Sequence, residues 1–291
     1  MIVIGCSNGK HLAVKIAKKL KADYSELSIK RFPDGELYLR FVKNLKNQAV
    51  ILVQSFYENL SDSILEAIFA AETARELGAK KVCLAAPYFP YFRQDSRFNP
   101  GECISIKAIG KLFSRYFDKI IVVDPHLHRQ TKLSDLFSTK IEKLTANPYI
   151  GSYIKKNIKN ALIVGPDWES YKWAQKVAEQ LNYPFVILEK KRLSGRKVKI
   201  TINKRTGIKN KNVVFVDDII STGHTILEAA KKLRKLGAKR FYCIAVHGLL
   251  VEDALKKLNN AKIKVITTNT IPNKVAKIDV SGIISENLKQ S

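Results

Sequence analysis

The sequence predicts an α/β protein made of two similar halves, each a mainly parallel sheet flanked by helices. β-branched, strand-like runs alternate with helix-period segments along the whole chain, the rhythm of parallel strands covered by helices on both faces. Gly78 and Gly237 each follow a last helical turn and precede Ala-Lys and a new strand, as a glycine C-cap with a short connection does. KVCLAAPYFP, KIIVVDPHLH and NALIVGPDWES each run apolar and then meet proline beside polar or aromatic groups. That carboxyl-terminal edge is where open α/β sheets bind ligands. One such proline is an ordinary strand terminator; Pro87, Pro125 and Pro166 together point to a shared cleft.

Taken in order, MIVIGCSNGK reads as a short strand running into a glycine turn. Apolar spacing predicts helices over His11 to Leu20, Ser61 to Leu77, Ile104 to Tyr116, Glu169 to Leu181 and Thr225 to Leu236. A boundary near Ala146, in LTANPYIGSY, divides the chain into 1–145 and 146–291, two parts of similar size and rhythm. There is no exact repeat and no low-complexity linker between them.

At 291 residues and 46% hydrophobic content the chain can bury two cores, which excludes a disordered or fibrous protein. Cys6, Cys83, Cys103 and Cys243 are scattered without a CxxC pair, and three lie in apolar runs, as buried thiols in a reducing compartment do. The N-terminus lacks the charged and apolar regions of a signal peptide. Apolar runs break well short of the ~20 residues that span a bilayer, so a cytoplasmic protein is expected, with no membrane partner. The net charge of +25, from 51 Lys+Arg against 26 Asp+Glu, would concentrate polyanions. These residues are spread through stretches such as KIAKKLK and KKLRKLGAKR without interleaved aromatics. They read as solvated helix faces, and no specific nucleic-acid partner is expected.

The most informative segment is VVFVDDIISTGHTIL, residues 213–227: a buried strand, two acids, a short polar loop with one glycine, then a helix start. Backbone N–H groups of Ser221, Thr222, Gly223, His224 and Thr225, turned outward at the glycine, can cradle a phosphate, and the helix N-terminus adds partial positive charge. The hydroxyls of Ser221, Thr222 and Thr225 are further donors. Asp217 and Asp218 stand where carboxylates accept hydrogen bonds from a vicinal diol or hold a divalent cation through water. Phosphate at one end and diol at the other describe a ribose 5-phosphate. An ordinary helix cap needs neither the paired acids nor the glycine between threonines.

This segment resembles the PRPP-binding motif of type I phosphoribosyltransferases, and other segments extend the resemblance over nearly the whole chain to the ribose-phosphate pyrophosphokinase family. The fold it implies is two phosphoribosyltransferase-type domains, with ATP segments in 1–145 and the sugar-phosphate and catalytic loops in 146–291. RFPDGELYLR is similar to that family's ATP-binding segment and implies nucleotide contacts from Phe32, Asp34, Gly35 and Glu36; Pro33-Asp34-Gly35 is also a good hairpin turn. APYFPYFRQDSR resembles the signature that assigns Arg93 and Gln94 to ATP. VVDPHLH is similar to the segment ending in a Mg²⁺-associated histidine, here His126, and GPDWES to the loop whose acid, here Asp167, is the second metal residue. LEKKRLSGRKVKI looks like the catalytic loop, placing Lys190 and Arg192 at the transition state, with Arg192 also on the sugar phosphate.

The activity implied is transfer of the β,γ-diphosphoryl group of ATP to the anomeric hydroxyl of ribose 5-phosphate, with Mg²⁺, in a homo-oligomer that completes the nucleotide pocket across subunits. The family loop usually carries aspartate and a second glycine where this chain has Ser221 and His224. Three other readings compete: a nucleobase phosphoribosyltransferase, which needs no ATP segment; an inactive regulatory homologue, which needs none of Lys190, Arg192, His126 and Asp167; and an RNA-binding regulator exploiting the positive field.

Overall fold

The structure is a computed structural model that describes residues 1–291 except 98, 128–131, 167–169, 188, 195–196, 202–206 and 291. At 172, 189–194 and 197–201 it describes the backbone only. The chain divides into two compact units, Met1–Leu144 with Val280–Ser291, and Thr145–Asp279.

The first unit runs β1 (Ile2–Gly5), α1 (Lys10–Leu20), β2 (Asp23–Glu26), a ribbon of β3 (Ser28–Arg31) and β4 (Leu37–Arg40), β5 (Ala49–Val53), α2 (Leu60–Glu76), β6 (Lys81–Ala86), α3 (Ser105–Tyr116), β7 (Lys119–Val123) and β8 (Lys140–Leu144). Its main sheet has the order β2-β1-β5-β6-β7-β8, parallel throughout. The strands read IVIG, AVILV and KIIVV because both faces are covered, and all of β7 is buried.

The second unit runs α4 (Asn147–Asn157), β9 (Ala161–Gly165), α5 (Tyr171–Leu181), β10 (Phe185–Ile187), a ribbon of β11 (Glu189–Ser194) and β12 (Lys197–Thr201), β13 (Asn212–Ile220), α6 (His224–Lys235), β14 (Arg240–Gly248), α7 (Ala254–Asn260), β15 (Ile263–Thr268) and β16 (Ala276–Ile278). Its sheet, β10-β9-β13-β14-β15-β16, is also all parallel. One core packs around Phe56 and Phe113 in the first unit, another around Phe215 and Leu233 in the second.

The five predicted helices form with ends shifted by at most two residues. Gly78 and Gly237 take the left-handed backbone that ends α2 and α6, with φ of 84° and 83°. One expectation is corrected. Residues 146–291 do not all belong to the second unit, because the last helix, α8 (Ser281–Lys289), packs on α1. Within the first unit the Lys119 ammonium also donates to the Asn287 carbonyl near the end of α8, at 3.4 Å. Sequence spacing carries no trace of such a long-range return.

Candidate active site

The segment 213–227 is positioned by β13, which sits inside its sheet between β9 and β14. Asp217 and Asp218 are its sixth and seventh residues, so alternation sends them to opposite faces. Asp218 is 2% exposed. Each carboxylate folds onto the next amide: Asp218 N–H donates to Asp217 Oδ1 at 2.9 Å, and Ile219 N–H to Asp218 Oδ1 at 2.8 Å. The turn Ser221 to Gly223 leads directly into α6. Gly223 has φ 72°, ψ 4°, the left-handed conformation that reverses the chain in so few residues.

No side chain caps α6, although Ser221, Thr222 and Thr225 all stand at its start. The amides of its first turn therefore face outward, as an anion requires. Ser221, Thr222 and Thr225 are half-buried and His224 is exposed. Behind the turn, Leu250 N–H donates to Ile220 O at 3.0 Å, and Ile219 lies opposite His247 on β14. The buried His247 Nδ1 lies 2.9 Å from Thr270 Oγ1, while the Thr268 and Thr270 hydroxyls donate to Val246 O at 2.7 and 2.9 Å. This polar lattice ties the ends of β14 and β15 together beside the turn. Nothing in the sequence pattern of TTNTIPN singled it out.

Phe32, Asp34, Gly35 and Glu36 form the tip of the β3–β4 ribbon. The RFPDGE tip is a tight turn (Gly35 φ 96°, Phe32 N–H to Glu36 O 2.9 Å), and it leaves Phe32 50% exposed. Phe32 meets Tyr38 edge-on at 5.7 Å. Arg31, which sequence reasoning passed over, braces the tip: its guanidinium donates to Gly35 O at 2.6 Å and pairs with Asp62 in the first turn of α2.

Arg93 and Gln94 follow β6. Arg93 is exposed and Gln94 half-buried, with the Ser105 hydroxyl donating to Gln94 Oε1 at the start of α3. The segment is anchored by Phe89 and Phe92, which sit in an aromatic cluster with Phe56, Phe113 and Phe137 at centroid distances of 5.1 to 5.7 Å. Each such pair adds about 0.5–1.5 kcal/mol beyond area burial, which holds the backbone that carries Arg93 and Gln94.

His126 follows β7, half-buried, just after a left-handed Asp124 (φ 36°). Asp167, on the segment after β9, lies outside the described residues. Among the described residues no three His, Cys, Asp or Glu side chains cluster as a metal cage. Lys190 and Arg192 fall on β11, opposite Ile200 and Val198 of β12. The expected catalytic loop is in its described part a two-stranded antiparallel ribbon, consistent with the alternation in KVKIT. Pro87 and Pro125 follow β6 and β7 in the first unit, and Pro166 follows β9 in the second. Among the described residues no helix is long and apolar enough to cross a membrane.

Two family models match the chain: the N-terminal domain of ribose phosphate pyrophosphokinase over residues 1–116, and a phosphoribosyl transferase domain over 133–281. A ribose-phosphate pyrophosphokinase of Pyrococcus furiosus is 38% identical over 281 residues, covering 96% of this chain and 97% of the relative. One from Saccharolobus solfataricus is 37% identical over 296 residues, covering 99% and 100%. The phosphoribosylpyrophosphate synthetase of Mycobacterium smegmatis superposes with a TM-score of 0.85 over 99% of this chain and 97% of its own, at 24% identity, so the fold is shared.

Proposed function

The chain belongs to the ribose-phosphate pyrophosphokinase family, and from that premise we propose that it transfers the β,γ-diphosphoryl group of ATP to the anomeric hydroxyl of ribose 5-phosphate, giving PRPP and AMP. The observation that carries the reading is the turn Ser221 to Gly223, a helix start with no side-chain cap that follows two carboxylates after only two residues. The sugar's phosphate is held by the amides and hydroxyls of Ser221, Thr222, Gly223, His224 and Thr225, and its ring hydroxyls by Asp217 and Asp218. The exposed Phe32 ring stacks on adenine, Asp34, Gly35 and Glu36 supply polar groups beside it, and Arg93 and Gln94 hold the rest of the nucleotide.

In this reading, fixing both substrates aligns the anomeric oxygen for in-line attack on the β-phosphorus, and AMP leaves with the α-phosphate. Lys190 and Arg192 neutralise charge that grows on the phosphoryl oxygens as the bond to AMP breaks, and Arg192 also touches the sugar phosphate. Mg²⁺ is the proposed cofactor, with His126 and Asp167 as its protein partners; when bound it would offset charge on the diphosphoryl oxygens. The strand-end carboxylates are hard oxygen donors that suit such an ion, and a magnesium carried mainly by substrate phosphates needs no cage of three protein ligands.

We place the enzyme in the cytoplasm as a homo-oligomer, serving nucleotide biosynthesis, with no membrane or specific nucleic-acid partner. Purified protein incubated with ATP, Mg²⁺ and ribose 5-phosphate should release AMP only when the sugar is present. AMP release without sugar, or none at all, rejects the assignment.

A further inference from the structure

From β1 to β8 and from β9 to β16 the two units repeat one order of strands and α-helices: strand, helix, strand, ribbon, strand, helix, strand, helix, and two closing strands. Their sheets follow the same path, with β9 standing for β1, β13 for β5 and β14 for β6. Register makes the match residue by residue. Gly5 lies opposite Val53, and Val164 opposite Phe215, so one further step sets Gly165 beside Val216. Gln54 and Ser55 then occupy the positions of Asp217 and Asp218. Asn59, with φ 45°, stands before α2 as Gly223, with φ 72°, stands before α6. Counted from the first helical residue, Glu66 of α2 falls where α6 has Ala230.

Glu66 is 3% exposed. Its carboxylate accepts a hydrogen bond from the Ser7 backbone N–H at 2.7 Å, and others from the Ser7 hydroxyl, the Gln54 amide and the Cys6 thiol. Next along the loop, Asn8 N–H donates to Gln54 Oε1 at 2.9 Å, and the Gln54 amide nitrogen also donates to Ser7 Oγ at 3.2 Å. One backbone N–H, a hydroxyl, an amide and a thiol converge on the Glu66 carboxylate, and N–H, hydroxyl and amide are the donors a bound oxyanion would use. A cleft of about 260 Å³ opens beside them, lined by Ser7, Asn8, Ser63 and Glu66 and by Lys30 and Arg31 from the ribbon. In the second unit the helix position holds a methyl group, and the two strand-end positions hold acids in place of the neutral Gln54 and Ser55.

We propose that the loop Cys6 to Asn8 of the first unit is an oxyanion cradle that the chain fills with its own Glu66, and that it takes up inorganic phosphate once that carboxylate is removed. The proposal concerns the first unit alone and does not depend on how the second binds its sugar. Burial is the largest influence on Glu66 and raises its carboxyl above the usual range despite four donors, which means that the side chain is held in place at a desolvation cost.

The test compares thermal melting of the full-length wild type and Glu66→Ala with and without inorganic phosphate, taking the wild type as the measure of every other phosphate site. Phosphate should raise the melting temperature of Glu66→Ala by roughly 2–4 °C more than that of the wild type, the shift expected for about 1 kcal/mol of extra binding in a chain of this size. Glu66→Gln, which still fills the cradle and accepts from Ser7 N–H, should respond as the wild type does. Equal shifts in wild type and Glu66→Ala overturn the proposal, and so does the same excess in Glu66→Gln. Should Glu66→Ala fail to fold in chloride buffer, recovery of the fold in phosphate supports the cradle, and failure in both buffers overturns it.

Discussion

Replacing Gly223 with alanine tests the turn on which the proposed sugar site depends. At φ 72° a Cβ costs roughly 1–2 kcal/mol through contact with its own carbonyl. That Cβ would also stand 3.1 Å from Leu258 Cδ1 and 3.2 Å from Cγ, and Leu258 is fully buried in α7. Together these place about 2 kcal/mol of strain on Gly223→Ala. If the turn yields, the amides leave the phosphate and KM for ribose 5-phosphate rises by up to about 30-fold. If the turn holds, the strain appears as lost stability and a melting temperature lower by about 4–8 °C. Initial rates of AMP formation against ribose 5-phosphate at saturating ATP, with thermal melting of the same samples, divide the cost between the two. Gly223→Asn should suffer less from the backbone term, because asparagine tolerates the left-handed region, yet it meets the same leucine. A Gly223→Ala enzyme with wild-type KM and wild-type melting temperature would refute the reasoning.

Three further outcomes are expected. Asp62→Asn removes the partner of Arg31; the pair is half exposed and contributes at most about 1 kcal/mol, so nucleotide-dependent rates should show KM for ATP up to about five-fold higher with KM for ribose 5-phosphate unchanged. Lys190→Ala should lower kcat far more than it raises KM for ribose 5-phosphate in steady-state assays, since its contact forms mainly at the transition state. Because burial raises the Glu66 carboxyl in the folded protein, its contribution to stability is complete below the unfolded-state value and is lost as pH rises through the folded one; urea midpoints of Glu66→Gln should lack that part of the decline.

Much of this was readable in the sequence because it is local. Gly78 and Gly237 end their helices through a conformation only glycine adopts readily, and the acids, turn and helix start of 213–227 are contiguous. The sequence of the ribbon tip at Phe32 to Glu36 suits either a turn or a nucleotide contact, and the fold makes it a turn that leaves Phe32 exposed. Glu66 was not legible: in LSDSILEAIFAAETARE an acid every few residues reads as a solvated face, and only the parallel packing of β1 against β5 brings Ser7, Gln54 and Cys6 onto it. Arg31 and Asp62 are 31 residues apart and meet only when the ribbon lies over α2. The parallel pairings join strands distant in sequence, so their order follows from packing and not from any neighbouring residues.

The helix that follows residue 279 packs with the unit that begins at residue 1, which makes the second unit an insertion within the first. During synthesis the inserted unit can therefore finish folding while its host still waits for the segment after residue 279 to leave the ribosome. Losing that segment would injure the half of the molecule farthest from it in sequence, the half that carries the exposed Phe32, and leave the turn Ser221 to Gly223 intact.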